Sequence, residues 1–383
     1  MLRIENNNLR FNNMRKLGFG LMRLPLVNPD DQTSIDLERM KQMVDLYMER
    51  GFTYFDTAYP YHGGKSEEAL REAVVKRYPR EAFTVTSKMP VWAINEPADL
   101  ERIFNEQLEK CGVDYFDYYW LHALNHERVE VMERMDGWGF LVRKKAEGRI
   151  RHIGFSFHDD SALLAQILER HPEIEYVQLQ INYLDWESPA IESKTCYDLC
   201  TKHGKPVIVM EPVKGGSLAR VPEAVDRLFK EYRPDASPAS WAIRYCASLP
   251  NVLTVLSGMS NIEQVDDNTS YMQDFQPLND EEQAIIARAT ESIRESIAIP
   301  CTACHYCSEG CPQQIAIPEY FSLYNTVQQF PDQKSNSTLY YNLVAKNHSK
   351  AGECLECGQC EAQCPQHIDI IENLKLVAQT FEE

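Results

Sequence analysis

The sequence predicts an α/β fold in two parts, a (β/α)8 barrel followed by a small, mainly helical domain. Short runs of β-branched and aromatic residues alternate with amphipathic helical patterns over about 260 residues. Eight such runs are present, which is the number and spacing of strands in a TIM barrel. The rest of the 383-residue chain carries a different pattern, rich in cysteine, and is long enough for a second domain.

The predicted strands are short and apolar. A doubly wound open sheet is the alternative fold, but its first strand would lead into a G-x-G-x-x-G turn. Gly18 and Gly20 lack the third glycine, and the segment that follows does not have a helical pattern. The predicted strands are Lys16–Gly20, Tyr54–Ala58, Thr84–Lys88, Asp117–His122, His152–Phe157, Tyr176–Asn182, Pro206–Glu211 and Leu253–Gly258.

The stretches between the strands place apolar residues at steps of three and four positions, which predicts amphipathic helices. After the barrel, Asn279 and Glu282 form a capping-box pattern for a helix that extends to about Ser296. The predicted barrel helices include Ser66–Arg77, Asp99–Cys111, Val129–Glu147 and Ser161–Arg170.

Charge and hydropathy exclude some classes of protein. The formal net charge is -18, and residues 298–383 hold 4 basic and 10 acidic side chains, so neither part resembles a nucleic-acid-binding protein. No stretch approaches the ~20 apolar residues of a membrane span. The segment Met1–Leu24 has Asn and Arg where a signal peptide has an apolar core. We therefore expect a cytoplasmic protein without a membrane or nucleic-acid partner.

Eight of the twelve cysteines form two copies of one spacing, C-x2-C-x2-C-x3-C-P. This is the bacterial ferredoxin run, in which three thiolates bind one 4Fe-4S cluster and the fourth binds the other cluster. Zinc sites and disulfides are the alternatives, but neither requires a third cysteine at the same step followed by Cys-Pro. The other cysteines, Cys111, Cys196, Cys200 and Cys246, are scattered and are expected to be small buried apolar residues. The predicted ligand sets are Cys301, Cys304, Cys307 and Cys364 for one cluster, and Cys354, Cys357, Cys360 and Cys311 for the second.

Four reactive side chains are predicted at one rim of the barrel, where the carboxyl ends of the strands meet. Asp56, Lys88 and His122 end the second, third and fourth strands, and Tyr61 follows Asp56 in a loop. Taken singly, each has an ordinary explanation, such as a helix cap or a solvated strand end. Together they bring an acid, a phenol, an amine and an imidazole to one place.

These four residues, in this order and spacing, resemble the tetrad of the aldo-keto reductases. The resemblance extends over about Lys16–Asn268 and, with the cysteine-rich tail, is to the bacterial and archaeal branch that is fused to a ferredoxin module. It includes Leu17–Gly20, Gly51–Ala58, Gly148–Ser156 and Val177–Asn182, and Met210–Gly216 fits that branch.

The tetrad suits the reduction of a carbonyl. Hydride transfer leaves an alkoxide, and a tyrosine can protonate it if a nearby ammonium lowers its pKa from ~10. We expect Tyr61 to be the general acid, or the base in the oxidative direction, and Lys88 to supply the charge. Asp56 would fix Lys88, and His122 would orient the substrate carbonyl.

The resemblance implies a nicotinamide across the barrel mouth, with its carboxamide held by Ser156 and Gln178. The chain departs from the family in two places: Phe157 and His158 stand where an asparagine follows the serine, and Glu211 replaces an aromatic residue that stacks on the nicotinamide. The implied cofactor-binding residues are Gly20, Leu21, Met22, Asp56, Ser156, Gln178, Glu211, Gly258, Ser260, Gln264 and Asn268.

The loop after the eighth strand differs from the family at the positions that bind the 2'-phosphate of NADP. Alignment on Asn268 puts Gly258 and Gln264 where the family has a lysine and an arginine. Both cations are missing, and charge-assisted contacts are the strong ones for phosphate. The loop therefore predicts a slight preference for NADH. The backbone N–H groups of the turn from Gly258 to Ser260 and of the following helix start are expected to bind the pyrophosphate or ribose.

We expect a barrel at residues 1–277, a linker helix at 278–299 and a two-cluster domain at 300–383. The long gap between Cys311 and Cys354 contains stretches with helical spacing, Pro318–Tyr324 and Leu339–Val344, which predicts a helical ferredoxin. The expected function is a carbonyl or alcohol oxidoreductase whose clusters exchange electrons with an external redox protein or are structural. The alternative is an electron carrier or complex subunit in which the barrel is a scaffold.

Overall fold

The structure is a computed structural model that describes residues 15–188, 191–295, 297–329 and 334–382. Eight parallel strands pair in chain order, and the first also pairs with the eighth, so the sheet closes into a barrel. The predicted barrel is confirmed. The strands are β1 Leu17–Gly20, β2 Tyr54–Asp56, β3 Thr84–Met89, β4 Phe116–Leu124, β5 Ile150–Phe157, β6 Tyr176–Gln180, β7 Val207–Met210 and β8 Val252–Gly258.

Helices connect the strands and make up most of the tail, as predicted. The helices between residues 37 and 273 are α1 Leu37–Glu49, α2 Ser66–Leu70, α3 Pro97–Cys111, α4 His126–Arg134, α5 Gly137–Ala146, α6 Ser161–Arg170, α7 Ser193–Lys202, α8 Glu223–Tyr232, α9 Pro238–Ser248 and α10 Ile262–Gln273. They are followed by α11 Asp280–Arg294, α12 Tyr306–Glu309, α13 Ile317–Gln329, α14 Lys334–Val344, α15 Gln359–Ala362 and α16 Ile370–Phe381.

Two predicted helices differ from the structure. The stretch Val129–Glu147 is not one helix, because Asp136 has a φ of 56° and this left-handed conformation separates α4 from α5. The stretch Ser66–Arg77 begins as α2 and continues as a π-helical turn, Arg71–Val75. Ser296 and most of the polar start of the chain, on which the expectation about a signal peptide depended, lie outside the described residues.

The barrel interior is packed with large side chains, so it is a core rather than a channel. Aromatic rings from different strands contact one another, with 5.4 Å between the centroids of Tyr54 on β2 and Tyr118 on β4. Gly154 makes room for the Trp120 ring, since a Cβ at that position would lie 2.4 Å from it. The cluster consists of Tyr54, Tyr118, Trp120, Tyr176, Ile208 and Leu256.

The chain forms two compact units. The first contains the barrel strands and ends at Asn279, next to the predicted boundary at residue 277. The second contains the chain from Asp280 onward together with Ser188–Ile191 and Val213–Pro238. No sequence pattern indicated that Val213–Pro238 belongs to the tail. Long-range contacts place it there, such as the 2.7 Å ion pair between Arg233 and Glu282.

The second unit has its own core. The Tyr320 and Tyr341 rings lie 4.4 Å apart, and the Tyr341 hydroxyl accepts a 2.8 Å hydrogen bond from the Ala351 backbone. The core residues are Ile299, Cys307, Ile315, Ala316, Ile317, Tyr320, Phe321, Val327, Tyr341, Ala351, Cys360, Ile368, Ile370, Leu374, Val377 and Phe381.

Among the described residues, no helix has both the length and the apolar character that crossing a bilayer requires.

Candidate active site and cysteine cavities

The closed parallel sheet brings the carboxyl ends of all eight strands to one rim. Asp56 is the last residue of β2, Lys88 lies one residue before the end of β3, and His122 lies near the end of β4. Tyr61 stands in the loop after β2, where its backbone N–H donates to the Ala58 carbonyl at 3.2 Å. The four predicted tetrad residues are therefore on the same rim.

Lys88 is the centre of the tetrad. Its ammonium is buried and donates to the Asp56 carboxylate at 2.5 Å and to the Thr57 carbonyl at 2.8 Å. The Tyr61 hydroxyl lies 3.4 Å from the same nitrogen. The ammonium thus has two close acceptors that fix its position, and it faces the tyrosine.

Burial dominates the protonation of these groups. It raises the pKa of Asp56 and lowers the pKa of Lys88, while the attraction between the two charges opposes both shifts. The expectation that Lys88 lowers the pKa of Tyr61 is not met. Burial, followed by the charges of Asp56 and Glu211, raises the pKa of Tyr61 well above its usual value. Tyr61 is therefore a neutral phenol at neutral pH, the form that donates a proton.

His122 is aimed by an irregularity in β4. The pairing of β4 with β5 shifts register between Leu121 and Leu124, and Ala123 has a φ of 54°. Such bulges redirect side chains near active sites. The His122 ring packs edge-to-face on Tyr61, with 6.0 Å between the ring centroids, and its buried Nδ1 has no hydrogen-bond partner in the described residues. Burial, followed by the charge of Lys88, lowers the His122 pKa well below its usual value, so the imidazole is neutral.

The residues implied for the nicotinamide lie on β5, on β6 and after β7. The Ser156 hydroxyl accepts a 2.7 Å hydrogen bond from the Ala123 backbone N–H. Gln178 is buried, and its Oε1 has no partner among the described residues, so this acceptor suits the NH2 of a carboxamide. Glu211 directly follows β7 in a left-handed conformation, φ 58°, and its charge acts on Tyr61.

The residues implied for the other end of the cofactor lie at the ends of β1 and β8. The Gln264 side chain accepts a 2.7 Å hydrogen bond from the Ser260 N–H, and Asn268 donates to Ser257 at 3.0 Å. Arg23 lies against Gly258: a Cβ on that glycine would be 3.3 Å from the Cβ of Arg23. Sequence reasoning missed this cation because it lies on a different strand end. Gly20, Leu21 and Met22 end β1 at the same rim, and the Leu21 N–H donates to the Asp56 carbonyl at 2.8 Å.

A buried polar network behind Lys88 was also missed. The Gln107 amide on α3 donates to Glu67 at 2.7 Å, to Ser87 at 2.9 Å and to the Lys88 carbonyl at 3.0 Å. Glu67 is fully buried, and Lys110 lies 3.3 Å from its other oxygen. Burial raises the Glu67 pKa, and the charge of Lys110 opposes that shift. An amphipathic helix pattern does not reveal such a network, because its members come from three separate elements.

The tail brings its cysteines together around two cavities, and these eight cysteines form no disulfides. In both halves a backbone N–H donates to the first cysteine at 3.4 Å, from Ala303 in one copy and from Glu356 in the other. Burial raises the pKa of Cys301 to about 12, so its thiolate needs an adjacent cation, which a metal would supply. One cavity is lined by Cys301, Cys304, Cys307 and Cys364, and the other by Cys311, Cys354, Cys357 and Cys360.

These groupings are the two predicted ligand sets, including the exchange of the fourth cysteine between the halves. Four sulfur donors converging on one small cavity fit a 4Fe-4S cluster. The remaining cysteines are buried in the barrel unit, and burial raises the pKa of each thiol, as suits inert packing residues. They are Cys111, Cys196, Cys200 and Cys246.

Comparisons with known proteins agree with both parts. Residues 16–291 match the model of the aldo/keto reductase family, and residues 300–368 match that of a 4Fe-4S dicluster domain. An aldo-keto reductase of Mycolicibacterium vanbaalenii is 28% identical over 64% of this chain and 81% of its own length. Among solved structures, an aldo-keto reductase from Bacillus halodurans in its holo form is 25% identical, with a TM-score of 0.56 over 72% of this chain and 91% of that one. An aldo-keto reductase from Klebsiella pneumoniae in complex with NADPH shares the fold at 22% identity, with a TM-score of 0.55 over 72% of this chain and 90% of that one.

The buried network behind Lys88 leads to a prediction about stability. Gln107→Leu removes the amide that bonds Glu67, Ser87 and the Lys88 carbonyl, and it should lower the free energy of unfolding by about 1–3 kcal/mol. Asn105→Leu on the same helix is the control, since in the described part of the chain Asn105 bonds only the exposed Glu101, and it should change stability by less than about 0.5 kcal/mol. Urea denaturation followed by circular dichroism measures both. Equal stability of the two variants would contradict the prediction.

Proposed function

The chain belongs to the aldo/keto reductase family, and we propose that it interconverts a carbonyl and an alcohol with a nicotinamide cofactor, using Tyr61 as general acid or base. The observation that carries the proposal is the position of the buried Lys88 ammonium, held by Asp56 and the Thr57 carbonyl and 3.4 Å from the Tyr61 hydroxyl. The substrate class is that of the family, small carbonyl compounds and alcohols.

Each tetrad residue has a role in the reductive direction. A bound reduced nicotinamide supplies hydride to the carbonyl carbon. The Tyr61 hydroxyl donates its proton to the carbonyl oxygen, and the Lys88 charge stabilises the phenolate that remains. The neutral imidazole of His122 hydrogen-bonds the carbonyl oxygen and orients it. In the oxidative direction Tyr61 takes the proton back from the alcohol.

Gln178 and Ser156 are the residues that we propose hold the nicotinamide carboxamide. The unpartnered acceptor of Gln178 supports this role, because a buried acceptor is costly unless a ligand satisfies it. We propose NADH as the natural cofactor on the grounds that Gly258 and Gln264 provide no charge for a 2'-phosphate. Arg23 beside Gly258 is a competing source of charge, so NADH and NADPH should be compared directly in every assay.

The cysteine cavities support two 4Fe-4S clusters, with Cys364 completing the first ligand set and Cys311 the second. We propose that the clusters exchange electrons with an external redox protein, and that the protein works in a reducing compartment such as the cytoplasm, where thiols persist. Hydride carries two electrons, whereas each cluster takes one. Electron exchange between nicotinamide and the clusters would therefore need a mediator that accepts hydride and releases single electrons, such as a flavin carried by the external redox protein.

Tyr61→Phe should lower turnover by ~10²–10⁴, the usual contribution of proton transfer, while nicotinamide affinity stays within a few-fold. Tyr59→Phe is the matched control in the same loop, because the Tyr59 hydroxyl bonds Glu106 instead of the tetrad, and it should keep its activity. Initial rates and fluorescence titration of the cofactor separate the two effects. A Tyr61→Phe variant with more than half of wild-type activity would exclude the tetrad assignment and favour a scaffold role for the barrel.

The isolated protein should contain about eight irons and eight acid-labile sulfides per chain. Cys311→Ser should damage the cluster bound by Cys354, Cys357 and Cys360, since the fourth ligand crosses between the halves. Cys196→Ser, at a buried thiol of the barrel unit, should leave the iron content unchanged. Iron analysis and EPR of the reduced clusters give the result. Four irons, stoichiometric zinc, or damage confined to the Cys301 cluster would contradict this assignment.

Electron exchange is tested anaerobically with NADH or NADPH and a panel of carbonyl compounds and sugars, while cluster absorbance is followed in the same cuvette. An external low-potential donor should reduce the clusters as fast as turnover, and nicotinamide with an alcohol substrate should do so once a flavoprotein is added as mediator. Replacing Cys304 and Cys357 by serine should abolish this reduction and spare nicotinamide-dependent carbonyl reduction. Clusters that stay oxidised with nicotinamide, substrate and external donor alike would exclude the electron-exchange role.

A further inference from the structure

The second unit contains a buried cation that the proposed reaction does not use. Lys214 is 2% exposed, and its ammonium donates a 2.9 Å hydrogen bond to Oε1 of Gln366. The two residues are 152 positions apart in the sequence. Burying an ammonium costs several kcal/mol in real proteins unless nearby groups compensate for lost hydration. A lysine at this position therefore calls for a physical explanation.

The backbone around Lys214 has a left-handed conformation and packs closely against the first cysteine segment. Lys214 has a φ of 47°, and Gly215 and Gly216 follow with φ values of 64° and 105°. A Cβ on Gly215 would lie 2.1 Å from the carbonyl oxygen of Thr302. Since Thr302 stands between Cys301 and Cys304, this loop lies directly on the first cysteine segment, and only glycine allows the approach.

Gln366 connects this cation to the first cysteine cavity. It is 6% exposed and lines the cavity of Cys301, Cys304, Cys307 and Cys364. Its Oε1 accepts from Lys214, whereas its buried Nε2 has no partner among the described residues. An amide whose oxygen binds an ammonium is polarised towards stronger donation from its nitrogen. A sulfur of a cluster held in this cavity would supply the acceptor that this donor lacks.

The other half of the tail provides an internal comparison. Both halves read Cys-Pro-Gln at the fourth ligand, and Gln313 lines the second cavity as Gln366 lines the first. Gln313, however, is partly exposed, and within the described ranges it has no hydrogen-bonded lysine. The two halves thus have the same cysteine ligands, but they differ in charge: a lysine is hydrogen-bonded to the glutamine of the first half and, among the described residues, none is bonded to the glutamine of the second.

We propose that Lys214, acting through Gln366, raises the reduction potential of the cluster bound by Cys301, Cys304, Cys307 and Cys364 above that of the second cluster. The inference rests on the two-cluster assignment proposed above. Four thiolates make each cluster anionic, and reduction adds one more negative charge. A buried positive charge and an N–H···S hydrogen bond both favour the reduced form. Gln366 is the hydrogen-bond donor, and Lys214 is the positioning residue that also supplies the charge.

The asymmetry gives electron flow a direction. The second cavity is closer to solvent at its edge, since Cys357 is exposed and the neighbouring Leu355 is 60% exposed. An external donor of electrons therefore meets the cluster of lower potential first. The electron then moves downhill to the cluster of Cys301, and the reverse transfer is disfavoured.

The test is an EPR-monitored redox titration of the full chain with dithionite and mediators. The wild-type protein should show two separate reduction waves. Lys214→Met should move one wave to lower potential by at least about 59 mV, a tenfold change in a one-electron equilibrium. Gln366→Leu should move the same wave in the same direction. Lys214→Arg keeps the charge, so it should shift the midpoint potential of that wave less than Lys214→Met does. Gln313→Leu should leave the midpoint potential of that wave unchanged.

The outcomes separate this inference from the assignment on which it rests. If Lys214→Met and Gln366→Leu keep about eight irons and neither wave moves, the relay is wrong while the two clusters stand. If Lys214→Met loses iron, Gln366→Leu decides: a wave lowered tenfold supports the relay, and unmoved waves overturn it. Four irons or zinc in the wild-type protein would overturn the cluster assignment and the relay together.

Discussion

The buried ion pair between Lys88 and Asp56 is the interaction on which the barrel mouth depends. Both side chains are almost fully buried, and a lone charge at either position would cost about 3–5 kcal/mol. Asp56 ends β2 and Lys88 belongs to β3, so the pair also ties two adjacent strands together. The loop that carries Tyr61 starts one residue later, at Thr57, whose carbonyl is the second acceptor of Lys88. The same contacts thus stabilise the fold and hold the start of the loop that carries Tyr61, the residue that we propose as the proton donor.

This double role affects how variants should be interpreted. Removing Asp56 leaves an uncompensated ammonium in the core, so loss of activity would be mixed with loss of stability. Tyr61 is neutral and is not one of the two charges, so its hydroxyl can be removed with far less effect on folding. The network of Glu67, Ser87 and Gln107 behind Lys88 extends the argument, since it holds the β3 backbone through the Lys88 carbonyl. Stability and catalysis are separable at Tyr61 and inseparable at Asp56.

Local patterns predicted much of this structure, because strand periodicity and strand ends are local properties. All eight strands and the four rim residues follow from them. The break at Asp136 did not, since the apolar spacing continues across it and one left-handed residue leaves no periodic signal. The raised pKa of Tyr61 was missed for another reason. It depends on burial and on the charge of Glu211, which follows β7 and is far from Tyr61 in the sequence. Lys214 and Gln366 are equally distant in the chain, and no spacing rule links them.

The cysteine repeat predicted the two ligand sets but not any difference between the two clusters. Fixed spacing before proline predicted which four cysteines share a cavity, because covalent geometry constrains a tight loop with three ligands. The backbone repeats as well, with left-handed residues at Ala303 in one half and at Glu356 in the other. Two identical ligand sets would give two similar potentials, and electrons would then have no preferred direction between them. A difference between the clusters has to come from their surroundings, such as the greater exposure of Cys357 in the second half and the charge of Lys214 beside the first. Lys214 comes from the segment that follows β7, outside the cysteine repeat. In the proposal above, a segment from the barrel portion of the sequence would thus supply the charge that makes transfer between two similar clusters directional.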